Sequence, residues 1–227
     1  MLLEVIAVKP EDAPLAEKYG ADRLELCTGM AEGGLTPSHA LIKQTVQSTS
    51  LPVNVMIRPH ASSFIYSDAD IRLMQEDIAH IKDMGANGVV LGPLTEQHKI
   101  NEKQLQLLLK AADGLDVTFH RAFDEVSSME EALQTVLKYP QITTILTAGG
   151  PGKALDNVDR LKALASMTKN TRLTVMPGSG LVLDQLEQFI HTVEPWAIHV
   201  GTGVRESATY NSALSQEKVA VIKDLGR

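Results

Sequence analysis

Five ionisable residues of this chain fall where ionisable residues are costly. Glu4, Glu25, Arg58, His120 and His199 each sit inside or at the end of a short apolar, β-branched run. A carboxylate and an imidazole at one site can exchange a proton with a substrate, and a guanidinium can hold a carboxylate or a developing oxyanion. Glu25 or His120 is therefore the candidate acid/base and Arg58 the candidate anion holder, with Glu4 and His199 beside them. A second chemistry overlaps the first. Cys27, Met56 and His120 are the soft donors that Cu(I) prefers, and Cys27-x-x-Met30 adds a weak soft pair. The third lies in the backbone. Gly149-Gly150, Gly178-Ser179-Gly180 and Gly201-Thr202-Gly203 each follow an apolar run. The N–H groups of such loops can cradle an anion, phosphate above all.

The elements that must position these groups follow from the spacing of the runs. They read Leu3–Val8, Arg23–Cys27, Val53–Ile57, Val89–Leu91, Val117–His120, Thr143–Leu146, Leu173–Met176 and Ala197–Val200. Near-continuous apolar runs suit strands covered on both faces. Between most of them lie helical patterns with their own punctuation. Thr36-Pro37 reads as a cap and first helical residue, Ser67 and Asn101 as caps, and Ser128 with Glu130 and Glu131 as a capping box. Leu155–Ala165, Leu183–Val193 and Gln216–Leu225 continue the series. Eight strand–helix units of roughly 28 residues predict an α/β chain folded as a (β/α)₈ TIM-type barrel, one domain over residues 1–227. The rival, an open doubly wound sheet, calls for a glycine-rich turn after the first strand. Ala7-Val8-Lys9-Pro10 stands there instead.

A barrel turns strand parity into a prediction, because alternate residues face the helices and the interior. Leu24, Leu26, Val53, Val55, Ile57, Val117, Phe119, Ile198 and Val200 then face out. Glu4, Glu25, Cys27, Asn54, Met56, Arg58, His120 and His199 face in. Each buried charge costs several kcal/mol unless paired. The bland alternative is a satisfied network in which Arg58 bridges Glu25 and Glu4, with glycines that only make tight turns. Five ionisable groups converging from five strands favour a site, since Val, Leu and Ile would fill those positions at less cost.

Composition narrows the partners. Twenty-eight acidic residues against 21 basic leave a net charge of −7, which argues against nucleic acid. No apolar run approaches the ~20 residues of a membrane span, and Met1–Val5 does not read as a secretion signal. Aromatics at 4% offer no stacking platform for bases or sugars. A single cysteine, Cys27, suits a reducing cytoplasm. No lysine lies within a strand run, which weakens a Schiff-base reading, and no dense His-x-His spacing marks a metal site. A small anionic molecule or a copper ion is the expected partner.

Several stretches together resemble the CutC family. They are Arg23-Leu24-Glu25-Leu26-Cys27, Glu32-Gly33-Gly34-Leu35-Thr36-Pro37-Ser38, Val55-Met56-Ile57-Arg58-Pro59 and Gly88-Val89-Val90-Leu91-Gly92. Thr118-Phe119-His120-Arg121-Ala122-Phe123-Asp124, Ile145–Gly150 and Ile198-His199-Val200 extend the likeness over nearly the whole chain. The resemblance implies a cytoplasmic (β/α)₈ barrel, usually a homo-oligomer, in a family named for copper homeostasis. The chain departs from the family pattern at His60–Phe64, at Ala148 and at Pro177–Gly180.

Overall fold

Short runs of leucine and β-branched residues become eight parallel strands in the computed structural model, which describes residues 1–226. The strands are β1 (Leu2–Ala7), β2 (Arg23–Leu26), β3 (Val53–Met56), β4 (Gly88–Leu91), β5 (Asp116–Phe119), β6 (Ile142–Thr147), β7 (Thr174–Pro177) and β8 (Ala197–Val200). The helices between and after them are α1 (Asp12–Tyr19), α2 (His39–Gln47), α3 (Asp68–Asp83), α4 (Glu102–Ala111), α5 (Met129–Leu137), α6 (Val158–Thr168), α7 (Leu183–Val193) and α8 (Gln216–Leu225). Hydrogen-bonded neighbours run β7-β6-β5-β4-β3-β2-β1-β8, and a single parallel bridge, Gly178 to His199, joins β7 to β8. The result is the expected (β/α)₈ TIM-type barrel.

Parity sorts the side chains as the alternation requires. Leu24, Leu26, Val53, Val55, Ile57, Val117, Phe119, Ile198 and Val200 join one apolar core shared with the helices, where Ile71, Met74, Ile78, Leu105, Leu108 and Leu133 are buried. Burying each such side chain contributes ~1.5–3 kcal/mol, so this shell between sheet and helices carries the fold. Only two small apolar clusters lie apart from it among the described residues: Cys27, Met56 and Val90, and Leu146, Met176 and Ala197.

Caps set the helix starts. Ser67 and Asp70 form a reciprocal capping box on α3, and Asn101 and Ser128 accept from Gln104 and Glu131 at the starts of α4 and α5. Ser128 caps without a reciprocal bond from Glu131, so that box is half made. At α2 the cap is Ser38, not Thr36. The Thr36 hydroxyl is already engaged, accepting the Arg58 N–H at 2.8 Å. Residues Ala154–Asp156 tighten into a 3₁₀ turn, so α6 starts three residues later than its periodicity suggests. One clasp crosses the whole chain. Arg205, wholly buried, donates to both carboxylate oxygens of buried Asp12 at 2.7 and 3.3 Å, and to the Ile6 carbonyl at 3.0 Å.

Candidate functional site

The floor of the barrel interior is an ion network. Arg23, at the start of β2, donates through Nε to Glu4 Oε2 at 2.5 Å. His199 Nδ1, on β8, lies 2.7 Å from Glu4 Oε1, and His199 Nε2 lies 3.7 Å from Glu25 Oε2. The Cys27 thiol donates to the same Glu25 oxygen at 3.2 Å. Arg23 also reaches Asp116, 3.6 Å away, and Asn54 donates to Asp116 at 3.4 Å. Parity thus brings Glu4, Glu25, Cys27 and His199 together. The cation that joins them is Arg23 rather than Arg58, which corrects the bridging expected for the bland network.

This network sets the proton affinities. Burial opposes charge on Glu4, but Arg23 and His199 hold its carboxyl below the usual range. Burial also opposes charge on His199, and Glu25 and Glu4 raise it nonetheless. Glu25 goes the other way: burial pushes it up, the Glu4 charge adds to that, and the pull of His199 does not restore it. Burial and the Glu25 carboxylate push the Cys27 thiol well up. Ligand atoms of Glu4, Glu25 and His199 lie within 4.8 Å of one another. The Arg23 guanidinium on Glu4 makes that trio an ion-pair network and repels a further cation.

Above the floor, Arg58 follows the end of β3 and His120 the end of β5. Arg58 is a buried cation with no carboxylate partner among the described residues. It donates instead to three backbone carbonyls, Glu32 at 2.6 Å, Gly34 at 3.1 Å and Ala61 at 3.3 Å. Its guanidinium lies 4.7 Å over the Phe64 ring, and that ring lies 4.7 Å from the His120 ring. His120 Nδ1 accepts the Ala122 N–H at 3.2 Å, which leaves the ring proton on Nε2. Burial and the Arg58 charge lower His120 to about 3, so the imidazole is neutral at physiological pH. Gly92, just after β4, makes this fit: a Cβ there would meet His120 Nδ1 at 2.6 Å.

A cavity of about 1010 Å³ opens here, at the C-terminal ends of the strands. Glu25, Arg58, Phe64, His120, His199 and Tyr210 line it, as do Met30 and Met56. Three buried polar atoms of the lining residues have no partner among the described residues: Glu25 Oε1, Arg58 Nε and His120 Nε2. Their residues are only 2%, 6% and 2% exposed, so bulk water does not satisfy them. An orphaned buried polar atom costs ~1–3 kcal/mol. All three belong to residues that line one cavity.

The soft donors are split. Cys27 and Met56 share a cluster with Val90, with Met30 packed against it. Cys27 Sγ and Met56 Cε both come within 3.5 Å of the point where Gly34 would carry a Cβ. His120 stacks instead on Phe64, beside Arg58.

The glycine loops also divide. The Gly149 amide donates to Thr147 Oγ1 at 2.8 Å and the Gly150 amide to Asp124 Oδ1 at 3.3 Å. Asp124 further accepts from the Ala148 amide, from Thr147 and from Arg121. A carboxylate of the protein thus already fills the anion cradle after β6, and the two glycines there are spoken for. Ser179 and Gly180 line the cavity, Ser179 with a left-handed φ of +80° that strains a residue bearing a side chain. Gly201 and Thr202 line it as well, and Gly178 lies behind them, donating to the Thr147 carbonyl at 3.0 Å. The Tyr210 hydroxyl lies against Gly201, in the space a Cβ would take. Burial, with the Glu25 and Cys27 charges, pushes that phenol up to about 12.

The CutC family model matches residues 1–204. The chain belongs to the CutC family. It is 41% identical over 189 residues to the human copper homeostasis protein cutC homolog, covering 83% of this chain and 68% of that protein. It is 36% identical over 212 residues to the family protein CutC of Pasteurella multocida, covering 91% and 84%. A crystal structure described as a copper homeostasis protein CutC, from Streptococcus agalactiae, superimposes with a TM-score of 0.82 at 31% identity, over 88% of this chain and 98% of that one. Phosphoribosylanthranilate isomerase from Thermotoga maritima shares the barrel alone, at 15% identity and a TM-score of 0.62. Three site residues of this CutC chain escape sequence reasoning. Arg23 shares the parity of Glu25 but opens a strand, where a charge usually reaches solvent. Asp124 lies in the 3₁₀ turn Arg121–Glu125 and Tyr210 in a loop, where strand parity says nothing.

Proposed function

We propose that this CutC-family barrel binds a small anionic metabolite in the cavity at its mouth and acts on it by acid–base chemistry. The observation that carries this reading is the trio of unpartnered buried atoms, Glu25 Oε1, Arg58 Nε and His120 Nε2, in residues that line one cavity. Arg58 supplies a positive charge that pairs with no carboxylate among the described residues. Glu25, its proton affinity raised by burial and by the Glu4 charge, is the acid/base. Neutral His120 offers an Nε2 proton as a hydrogen-bond donor. Glu4 and His199 position Glu25 from below. The Ser179–Gly180 and Gly201–Thr202 loops are the remaining candidates to hold a phosphate group. The test is a thermal-shift screen of small carboxylates and sugar phosphates against wild type, Arg58→Lys and His120→Gln. Stabilisation of wild type that both variants lose is the expected result. No shift from any compound, with both variants more stable than wild type, would leave the trio a purely structural network.

A second reading rests on the Cys27–Met56–Met30 cluster. Its thiol and two thioethers are a donor set for Cu(I), and the family's name directs attention to that cargo. The Cys27 proton held by Glu25 has to leave before the metal binds, so affinity should rise with pH. An anaerobic Cu(I) competition titration decides it. Tight one-to-one binding lost in Cys27→Ser supports copper handling, and weak binding indifferent to that change removes it. The resemblance to the family extends both readings to a cytoplasmic homo-oligomer, which light scattering on the purified chain tests.

A further inference from the structure

The three orphaned atoms differ in what they ask of a ligand. Arg58 Nε carries a hydrogen and accepts nothing. His120 Nε2 carries the ring proton, because Nδ1 accepts the Ala122 N–H. Both are donors, and both stand at one wall, with the Phe64 ring in contact with each. Glu25 Oε1 is an acceptor on β2, with its other oxygen taken by the Cys27 thiol. The residues lining the cavity therefore supply two donors suited to an electron-rich oxygen and one carboxylate oxygen that can take a proton. A neutral imidazole is the better partner for such an oxygen in an uncharged carbonyl, because it can strengthen its hydrogen bond as negative charge develops without first giving up a proton.

We infer that the reaction is enolisation of a small α-hydroxycarbonyl compound, with Glu25 as the base and with His120 and Arg58 as the oxyanion donors. Glu25 removes a proton from the carbon next to the carbonyl. The C–H electron pair forms the carbon–carbon double bond, and the carbonyl π pair moves to oxygen. The resulting enediolate oxygen is held by His120 Nε2–H and Arg58 Nε–H. Return of the proton from Glu25 to the same carbon ends the cycle as exchange or epimerisation, and its return to the former carbonyl carbon, with the hydroxyl proton passing to the enediolate oxygen, ends it as isomerisation. No oxidant, metal or second substrate enters this balance. The inference rests on the acid–base reading above and narrows it to one substrate class and one bond.

Solvent exchange tests it. Wild-type protein is incubated in D₂O with dihydroxyacetone, glyceraldehyde and dihydroxyacetone phosphate, and loss of the α-proton signal is followed by NMR. Exchange above the buffer rate with one or more of the three is expected. Glu25→Gln should slow it by about 10²–10⁴-fold and His120→Gln by about 10²-fold or more. Thermal unfolding of each variant is measured in parallel, so that loss of fold is told apart from loss of the base. Wild-type exchange no faster than buffer with all three compounds overturns the inference, as does exchange unchanged in folded Glu25→Gln. If the protein still binds one of them, with binding weakened in Arg58→Lys, only the enolisation step falls and the metabolite reading stands. With neither binding nor exchange, both fall.

Discussion

At the residue scale, two groups have measurable consequences without any knowledge of a substrate. His120 titrates near 6.5 when unfolded and near 3 in the folded protein, so the folded state refuses a proton the unfolded chain accepts. Its contribution to stability is therefore present above about pH 6.5 and is lost as pH falls toward 3, at up to about 1.4 kcal/mol per pH unit. Urea unfolding between pH 7 and pH 4 should show a shallower loss for His120→Gln than for wild type. Parallel curves would mean that the imidazole is not held neutral. Arg58 is a tie as well as a cation, because its guanidinium gathers the carbonyls of Glu32, Gly34 and Ala61. Arg58→Met strands those acceptors and should cost about 2–4 kcal/mol in denaturant unfolding. A loss under 1 kcal/mol would show that water replaces it freely. These two residues, with Glu4, Glu25, Cys27, Met56 and His199, were legible from strand parity alone, since an inward ionisable residue in an apolar run is a contradiction that demands a partner or a ligand. Their true partners were not legible. Which cation meets Glu4 depends on register between β1 and β2, where Glu4 lies opposite Arg23, and parity carries no register.

At the element scale, the turn that leaves β5 and the loop that leaves β6 are joined through Asp124. Its carboxylate gathers the Ala148 and Gly150 amides, the Thr147 hydroxyl and the Arg121 guanidinium. Asp124→Ala should cost about 2–3 kcal/mol, because several buried donors lose their acceptor at once. Added formate or acetate should recover part of that loss by refilling the vacated cradle, whereas chloride at equal ionic strength should not. No difference between the anions would deny that the loop is built around a carboxylate. The same cradle explains a sequence-level expectation that changes meaning. Gly149-Gly150 does read as an anion loop, but its anion comes from the protein. Element boundaries were most legible where the apolar periodicity is regular from end to end. Helices α5, α7 and α8 begin and end as their patterns indicate. They failed where a side chain is claimed by tertiary contact, as the Thr36 hydroxyl is by the Arg58 amide.

At the scale of the molecule, the ring is held at two unlike places. One is the β7–β8 seam, where a single bridge stands in for the ladders that join the other strands. Amides beside Gly178 and His199 should exchange with solvent faster than those of the β1–β2 ladder, which hydrogen-exchange mass spectrometry would resolve. The other is the Asp12–Arg205 clasp, which joins α1 to the loop after β8. Arg205→Met leaves a buried carboxylate unpaired and should cost about 3–5 kcal/mol. The double change Asp12→Leu with Arg205→Met should recover much of that loss, and failure to do so would make the charges themselves indispensable to the closed ring. The barrel as a whole was the most legible feature, because the strand–helix repeat survives local errors. The clasp was not, because neither partner sits in a patterned run. One further consequence concerns ancestry. Gly201 has no side chain, and the Tyr210 hydroxyl stands in the space one would fill. The two positions are thus a single heritable choice. Lineages that place even alanine at the first are expected to shorten or redirect the aromatic residue at the second.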